Sequence, residues 1–458
     1  MRNAISTFLI AAASVTGVAA QGTHVFVAQR PVTQAPATPL AISPMPGAQQ
    51  GTASVLTLRD AEQRALNQHP LIKAQEYTAQ AAQQGVREAR SAYFPTAWGA
   101  VTAAGAEPDG ARILAGGLNN PTILDRLATG VSVAQLVTDF GRTKNLVQSS
   151  NSTAESSEKS VDARRADVLL GVDRAYYDAL RAKAVLQVAQ ETVTTRQTVA
   201  DQVQALANAN QRSGLDVSFA QVNLSDAQLL LVQAENDLQA AYVELADALG
   251  DRTPTTYQLV DEPPPAAPPT DSATLVAQAL RDRPDVAAQR LADQAAMQFA
   301  LAEHDLWKPS VSLVGVAGVS PYHETGLIDH YAAGGVNVAI PIGDGGLFSA
   351  RHAQALFQAQ AQSQLSRDLE NRVARDVTTA WLNARTAFQR LDLTNQLLAH
   401  ASDALDLAQS RYNLGLTSIV ELTQAQLNKT SAEIAQSTAR YEYRASVSAL
   451  RYQTGELR

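Results

Sequence analysis

The residues best suited to hold a metal are His304, His323 and His330, with Glu303, Glu324 and Asp329 beside them. Imidazoles and carboxylates bind zinc when their spacing puts them on one face, and this spacing follows no such pattern. Gly343, Gly345 and Gly346 lack the following Lys-Ser or Lys-Thr of a phosphate loop. No serine sits in a nucleophile elbow with histidine and aspartate in ordered spacing. The chain has no cysteine, which excludes a disulfide framework, a thiolate metal site, a cysteine nucleophile and a lipidated N-terminal cysteine. The expectation is a protein with no catalytic residue, no metal site and no cofactor. Asp139 and Asp344, each close to glycine at a strand-to-helix junction, read as caps. Two further carboxylates, Asp216 and Glu421, follow chain reversals at matching places in an internal repeat. An acid there complements a helix dipole. Repeated by symmetry around a narrow pore, it would instead concentrate negative potential and favour cations.

The repeat is long. Val131 to Gly250 aligns without gaps on Val336 to Gly455, at an offset of 205 residues. Val172, Ala175, Tyr176 and Ala179 fall on Val377, Ala380, Trp381 and Ala384. Upstream the offset is 214: Pro70 falls on Pro284 and Pro95 on Pro309, so the first copy carries nine extra residues between the two stretches. A duplication of this length predicts one body built from two like halves. The net charge of −8 argues against a nucleic-acid partner, which needs clustered Lys and Arg.

Along the chain, residues 1–20 read as a signal peptide, with Arg2, an apolar run from Phe8 to Ala20, and small residues before Gln21. Residues 21–55 read as a flexible Pro-rich leader. The first repeat spans 56–250, with strands at about 96–105 and 130–139. A Pro-rich linker covers 251–272, and the second repeat spans 273–458, with strands at about 310–319 and 331–342. Each strand pair alternates and reads as a β-hairpin with a large loop. Strands of about ten residues match the wall of a membrane barrel.

Very long helices follow each hairpin. From Arg142 to about Asn210 there is no proline, and apolar positions recur every seven residues. One column is Val161, Val168, Ala175, Ala182 and Ala189, interrupted by Arg196, then Val203; another is Val172, Ala179, Leu186, Val193, Ala200 and Ala207. The second copy repeats the pattern from Val373 to Tyr412. A sustained seven-residue period predicts coiled-coil packing, and an alanine-rich seam predicts close packing. Turns at Ser213-Gly214 and at Asn413 to Gly415 send a return helix back in each half. Strands therefore lie at one end of a rod and helical turns at the other. Two hairpins cannot close a barrel, so the fold requires several chains. A coiled-coil surface protein of structural or adhesive function, with hairpins outside lipid, is the alternative.

The doubled pattern resembles the TolC family of outer-membrane efflux channels over about residues 57–455. It is carried by Leu71-Ile72 and Asp285-Val286 after the prolines, by Phe94-Pro95 and Lys308-Pro309 before the strands, and by Asp139-Phe140-Gly141 and the run Ile340 to Gly346 after them. The stretch from Arg411 to Leu422 is the most specific part. The resemblance implies a mainly α chain with a membrane β-barrel. Its duplicated helix–β-hairpin–long helix–return helix unit supplies four strands per chain to a twelve-stranded barrel shared by a homotrimer. It implies an α-helical tunnel in the periplasm, and a collar that takes in Pro254 to Pro269 and the helix from Ala273 to Leu280. It implies an exit duct in the outer-membrane lipid, serving an efflux or type I secretion system with a periplasmic adaptor and an inner-membrane RND or ABC transporter. By the same resemblance, Tyr412 and Asp216 close the periplasmic aperture. Thr417 stands where an arginine is expected, and Arg212 or Arg411 takes its place. Glu421 and Gln424 line the narrowest point. Ser213, Gly214, Asn413, Leu414 and Gly415 form tips for the adaptor.

Overall fold

The computed structural model describes residues 55–105, 111–112, 122–123, 125–253, 255–323 and 328–457. The expected signal peptide, nearly all of the Pro-rich leader, most of the first hairpin loop and Glu324 lie outside them. In chain order the elements are β1 (Val55–Leu56), α1 (Leu58–Gln68), α2 (Pro70–Ser91), β2 (Thr96–Ala104), β3 (Ala111–Arg112), β4 (Thr122–Ile123), β5 (Arg126–Thr138), α3 (Arg142–Asn208) and α4 (Gly214–Leu249). Then follow β6 (Gln258–Leu259), α5 (Ala273–Asp282), α6 (Pro284–His304), β7 (Ser310–His323), β8 (His330–Ala339), α7 (Leu347–Asn413) and α8 (Ile419–Thr454).

The two halves share one local grammar. The first half adds capping boxes of its own, Thr57 with Asp60 on α1 and Ser213 with Asp216 on α4, whereas Ser272 and Ser418 at the matching helix starts make no side-chain cap. Pro70 and Pro284 each open a helix at its first turn, where a missing N–H costs nothing. The return helices end on Gly250 and Gly455, with φ of 78° and 79°. These glycines also pack on the helix breaks: a Cβ on Gly250 would lie 3.1 Å from the His69 Cα, and one on Gly455 would lie 3.0 Å from the Arg283 nitrogen. A side chain there would be strained in conformation and crowded against the neighbouring backbone.

The strands form one antiparallel sheet in the order β2-β5-β7-β8. The second strand of the first hairpin pairs with the first strand of the second, from Thr138↔Val311 to Arg126↔His323. This pairing makes the inner strands longer than expected. β5 starts at Arg126 rather than near residue 130, and β7 runs to His323 rather than 319. The register shifts between Leu127 and Thr129, where Ser320 and Pro321 stand opposite Ala128, because proline gives no ladder donor. β8 ends at Ala339, ahead of the expected 342, just before Ile340 and Pro341.

The register assigns each residue to a face. Ala97, Gly99, Val101, Val131, Val133, Leu313, Val336 and Val338 share one, which is largely apolar. Thr96, Thr102, Ser132, Ser312 and Asn337 share the other with Trp98, Val314 and Val316, so that face is mixed. The Tyr331 hydroxyl lies on that second face over Gly318 and reaches Gly130, two strands away, so the glycines leave room for the ring.

Both long helices have 67 residues, on the order of 100 Å each. The seven-residue columns are their buried seams: Val161, Val168, Val172, Ala179, Ala189, Ala200 and Val203 in α3, and Val373, Val377, Ala384, Ala401, Ala408 and Tyr412 in α7. α3 packs along α4, α7 along α8, and α3 against α8. Midway, the Pro-rich linker is tied to the rod. β1 pairs in parallel with β6. The Tyr176 hydroxyl lies 2.9 Å from the Leu56 carbonyl and 2.8 Å from that of Val260, and accepts from the Val260 N–H at 3.1 Å. Its repeat partner Trp381 donates to the Pro269 carbonyl at 2.8 Å. Buried Arg444 binds Asp261 and the Glu262 carbonyl.

A carboxyl pair lies in this middle region. Burial first, and then the neighbouring Asp173, push Glu62 of α1 up to about 7. Asp173 of α3, itself buried, is also raised by burial, against the opposing effects of Ser448, Glu62 and Arg451. Folded protein therefore keeps a proton that the unfolded chain releases above about pH 4.5. This contribution to stability is present below that pH and is lost as pH rises through about 7. We expect the thermal midpoint to fall as pH rises across this window, and Glu62→Gln to flatten the curve. An equally steep curve in Glu62→Gln would place the titrating group elsewhere.

Candidate functional site at the helical turns

The two turns at the end of the rod meet around one apolar cluster. Ala200 and Val203 of α3, Ala220 and Leu224 of α4, Tyr412 of α7, and Ile419 and Leu422 of α8 are buried together. The first turn reverses through Asn210, at φ 56°, and the second through Gly415, at φ 72°. A non-glycine residue at positive φ is uncommon, and asparagine tolerates it best.

Tyr412 is the centre of this cluster and is 5% exposed. The Arg212 guanidinium lies over its ring, with Cζ 4.3 Å from the centroid. Arg212 Nη2 also donates to the Tyr412 carbonyl at 3.1 Å. A cation–π contact joined to a hydrogen bond fixes the first turn to the second. The Tyr412 hydroxyl has no hydrogen-bond partner among the described residues. Burial raises its pKa, with Arg212 opposing and Asp216 adding to the shift.

The expected Tyr412–Asp216 hydrogen bond is not formed within one chain. Asp216 instead accepts from the Ser213 N–H at 3.2 Å, as the acidic half of the capping box. Arg212 and Arg411, the two arginines expected near the turns, have different partners. Arg212 engages Tyr412, while Arg411 pairs with Glu421 at 3.4 Å. The Thr417 hydroxyl also donates to Glu421. Glu421 is therefore half-exposed with a cation beside it, which weakens the negative potential it projects. Gln424 is exposed on the same face of α8 and donates to Asn428 at 2.9 Å. Ser213, Gly214, Asn413, Leu414 and Gly415 are exposed at the turns. Leu215, Leu414 and Leu416 add apolar knobs there, at 65%, 74% and 67% exposure.

Sequence reasoning missed the polar contacts that cross between the helix pairs. Asn223 of α4 donates to Thr423 of α8 at 3.1 Å, and Thr192 of α3 lies 3.4 Å from Thr430. Their only sequence signal is a polar residue beside a seam position. The histidines are set apart: His304 ends α6 beside His352 and Asp305, whereas His323 and His330 lie at the far end of β7 and β8, with His323 2.8 Å from Asp329. The length of β7, roughly 45 Å, separates them.

An open four-stranded sheet at one end of paired coiled coils, with interlocked turns at the other, defines a chain of the barrel-and-tunnel class. The family model described as outer membrane efflux protein matches residues 49–251 and 275–456, and the chain belongs to this family. It is 22% identical over 289 residues to the outer membrane protein TolC of Escherichia coli (strain K12), covering 60% of this chain and 59% of that one. It is 27% identical over 315 residues to protein CyaE of Bordetella pertussis, covering 66% of this chain and 65% of that one. The solved structure of the Campylobacter jejuni CmeC outer membrane channel superposes with a TM-score of 0.75 at 16% identity, covering 87% of this chain and 85% of that one, and so shares the fold.

The orphan hydroxyl yields a test. Tyr412→Phe keeps the ring under Arg212 and removes an unpaired polar atom, so thermal stability should be unchanged or higher. Tyr412→Ala empties the cluster and should cost about 3–5 kcal/mol. An equal loss in both variants would show that the hydroxyl, not the ring, holds the turns.

Proposed function

We propose that this chain is one third of an outer-membrane exit duct, which passes cargo outward from an inner-membrane RND or ABC transporter through a periplasmic adaptor. The observation that carries this reading is the sheet. One face is apolar enough for lipid, the other mixes polar residues with Trp98, Val314 and Val316, and β2 and β8 leave open edges within one chain. Backbone groups at such edges must be paired if the strands enter a membrane. Three copies give a closed wall of twelve strands, since each supplies four. Among the described residues no helix is long and apolar enough to span the membrane.

The duct contributes a path and a gate and no energy. Arg212 and Tyr412 hold the gate shut by joining the turns of each chain. Glu421, trimmed by Arg411 and Thr417, and Gln424 give the aperture one ring of partly neutralised carboxylates and one ring of amides. The exposed residues at Ser213, Gly214 and Asn413 to Gly415 receive the adaptor, with the neighbouring leucines supplying apolar contact area.

In planar bilayers the purified protein should conduct ions, and Arg212→Ala should raise the conductance several-fold, since a partly buried cation–π contact is worth about 1–2 kcal/mol. Glu421→Gln should weaken block by divalent cations at the periplasmic side. A soluble monomer without conductance would support the structural or adhesive reading instead.

A further inference from the structure

Arg196 lies in the seam of α3, about three helical turns before the end of that helix. It occupies the column that runs through Ala189 and Val203, and it is 7% exposed. Its Nη1 donates to the Gln426 Oε1 of α8, which is also buried. Among the described residues no carboxylate lies within ion-pair range of it; Asp226 of α4 acts on it only through space. Burial lowers its pKa, so the surroundings disfavour the charge that an arginine must carry. The repeat supplies an internal comparison. The same position in the second copy is Ala401, which is buried in the α7 seam. The fold can therefore build this seam without a cation.

A guanidinium in such a place has given up hydration and regained a neutral amide acceptor. Gln426 follows Glu421 on α8 by little more than one helical turn, so the contact sits directly behind the aperture. Parting α8 from α3 would return water to the guanidinium. We propose that Arg196 is a built-in opening spring, a buried cation without a carboxylate partner that makes the shut α3–α8 seam less stable than an apolar seam. The Arg212–Tyr412 contact is then the catch that holds this seam closed. This inference rests on the duct reading, and it assigns Arg196 the opposite sign to a lock.

The chain has no cysteine, so spin labels can be placed at Gln197→Cys and Asn428→Cys, two exposed positions on the two sides of the seam. In the full-length protein in detergent, with Arg212→Ala to release the catch, the label distances should include a separated population. Arg196→Met should reduce that population about tenfold, the scale on which an apolar residue stabilises a seam that had held a buried charge. Arg196→Lys, which keeps the charge, should preserve it. If Arg196→Met does not fold, Arg196→Ala, which copies Ala401, is read in the same way. A separated population unchanged or enlarged in these apolar variants would overturn the proposal and make Arg196 a lock. Bilayer conductance on the same samples keeps the two claims apart. Seam parting without current contradicts the duct, whereas current with no response to Arg196→Met contradicts the spring.

Discussion

The unpaired edges of the four-stranded sheet set the terms for everything else in this molecule. Each edge strand presents a row of backbone donors and acceptors that hydrocarbon cannot satisfy. β2 and β8 lie at opposite sides of the sheet, and in the duct reading each pairs with the matching edge of another copy. The inner strands leave no freedom in how the two halves meet, because β5 and β7 pair along nearly their whole length. Duplication thus makes half a problem twice, and a ring of copies solves it.

The helical end obeys a different constraint. Two 67-residue helices and two 36-residue return helices must pack over a great length with little aromatic bulk. Alanine-rich seven-residue columns allow close approach and a regular crossing. The cost is a thin core in which each polar intrusion matters. The linker between the halves is fixed to the rod by Tyr176, Trp381 and Arg444, so the two coiled coils share a common waist. Below the waist, the helix pairs meet through the Tyr412 cluster and a few polar contacts. In the duct reading proposed above, contacts of this number and strength let the rod be stable along its length and still open at its tip.

Much of this was legible in the sequence. The 205-residue offset, the seven-residue columns and the capping Asp139 and Asp344 are local or periodic signals, and the structure follows them. Strand ends were less legible, because the length of β5 is set by pairing with β7, a contact between residues nearly 200 positions apart. At the turns, the family resemblance singled out Tyr412, Arg212, Asp216 and Glu421 as a group. It did not reveal that Asp216 is consumed by its own cap, or that Glu421 has Arg411 and Thr417 at hand. Those outcomes depend on competition among neighbours a few ångströms apart. Arg196 was visible only as an interruption of its column, and its partner Gln426 lies 230 residues away.

The most direct measurement joins the open edges to one another. Single cysteines on the apolar face of β2, at Ala97, Gly99 or Val101, can be combined with cysteines on the same face of β8, at Ala332, Gly334 or Val336, in a chain that has none of its own. Oxidation in outer-membrane fractions should give covalent dimers and trimers for at least one register, and nothing larger. A product that stays monomeric in every register, or a ladder that continues past three, would contradict a closed barrel shared by three chains.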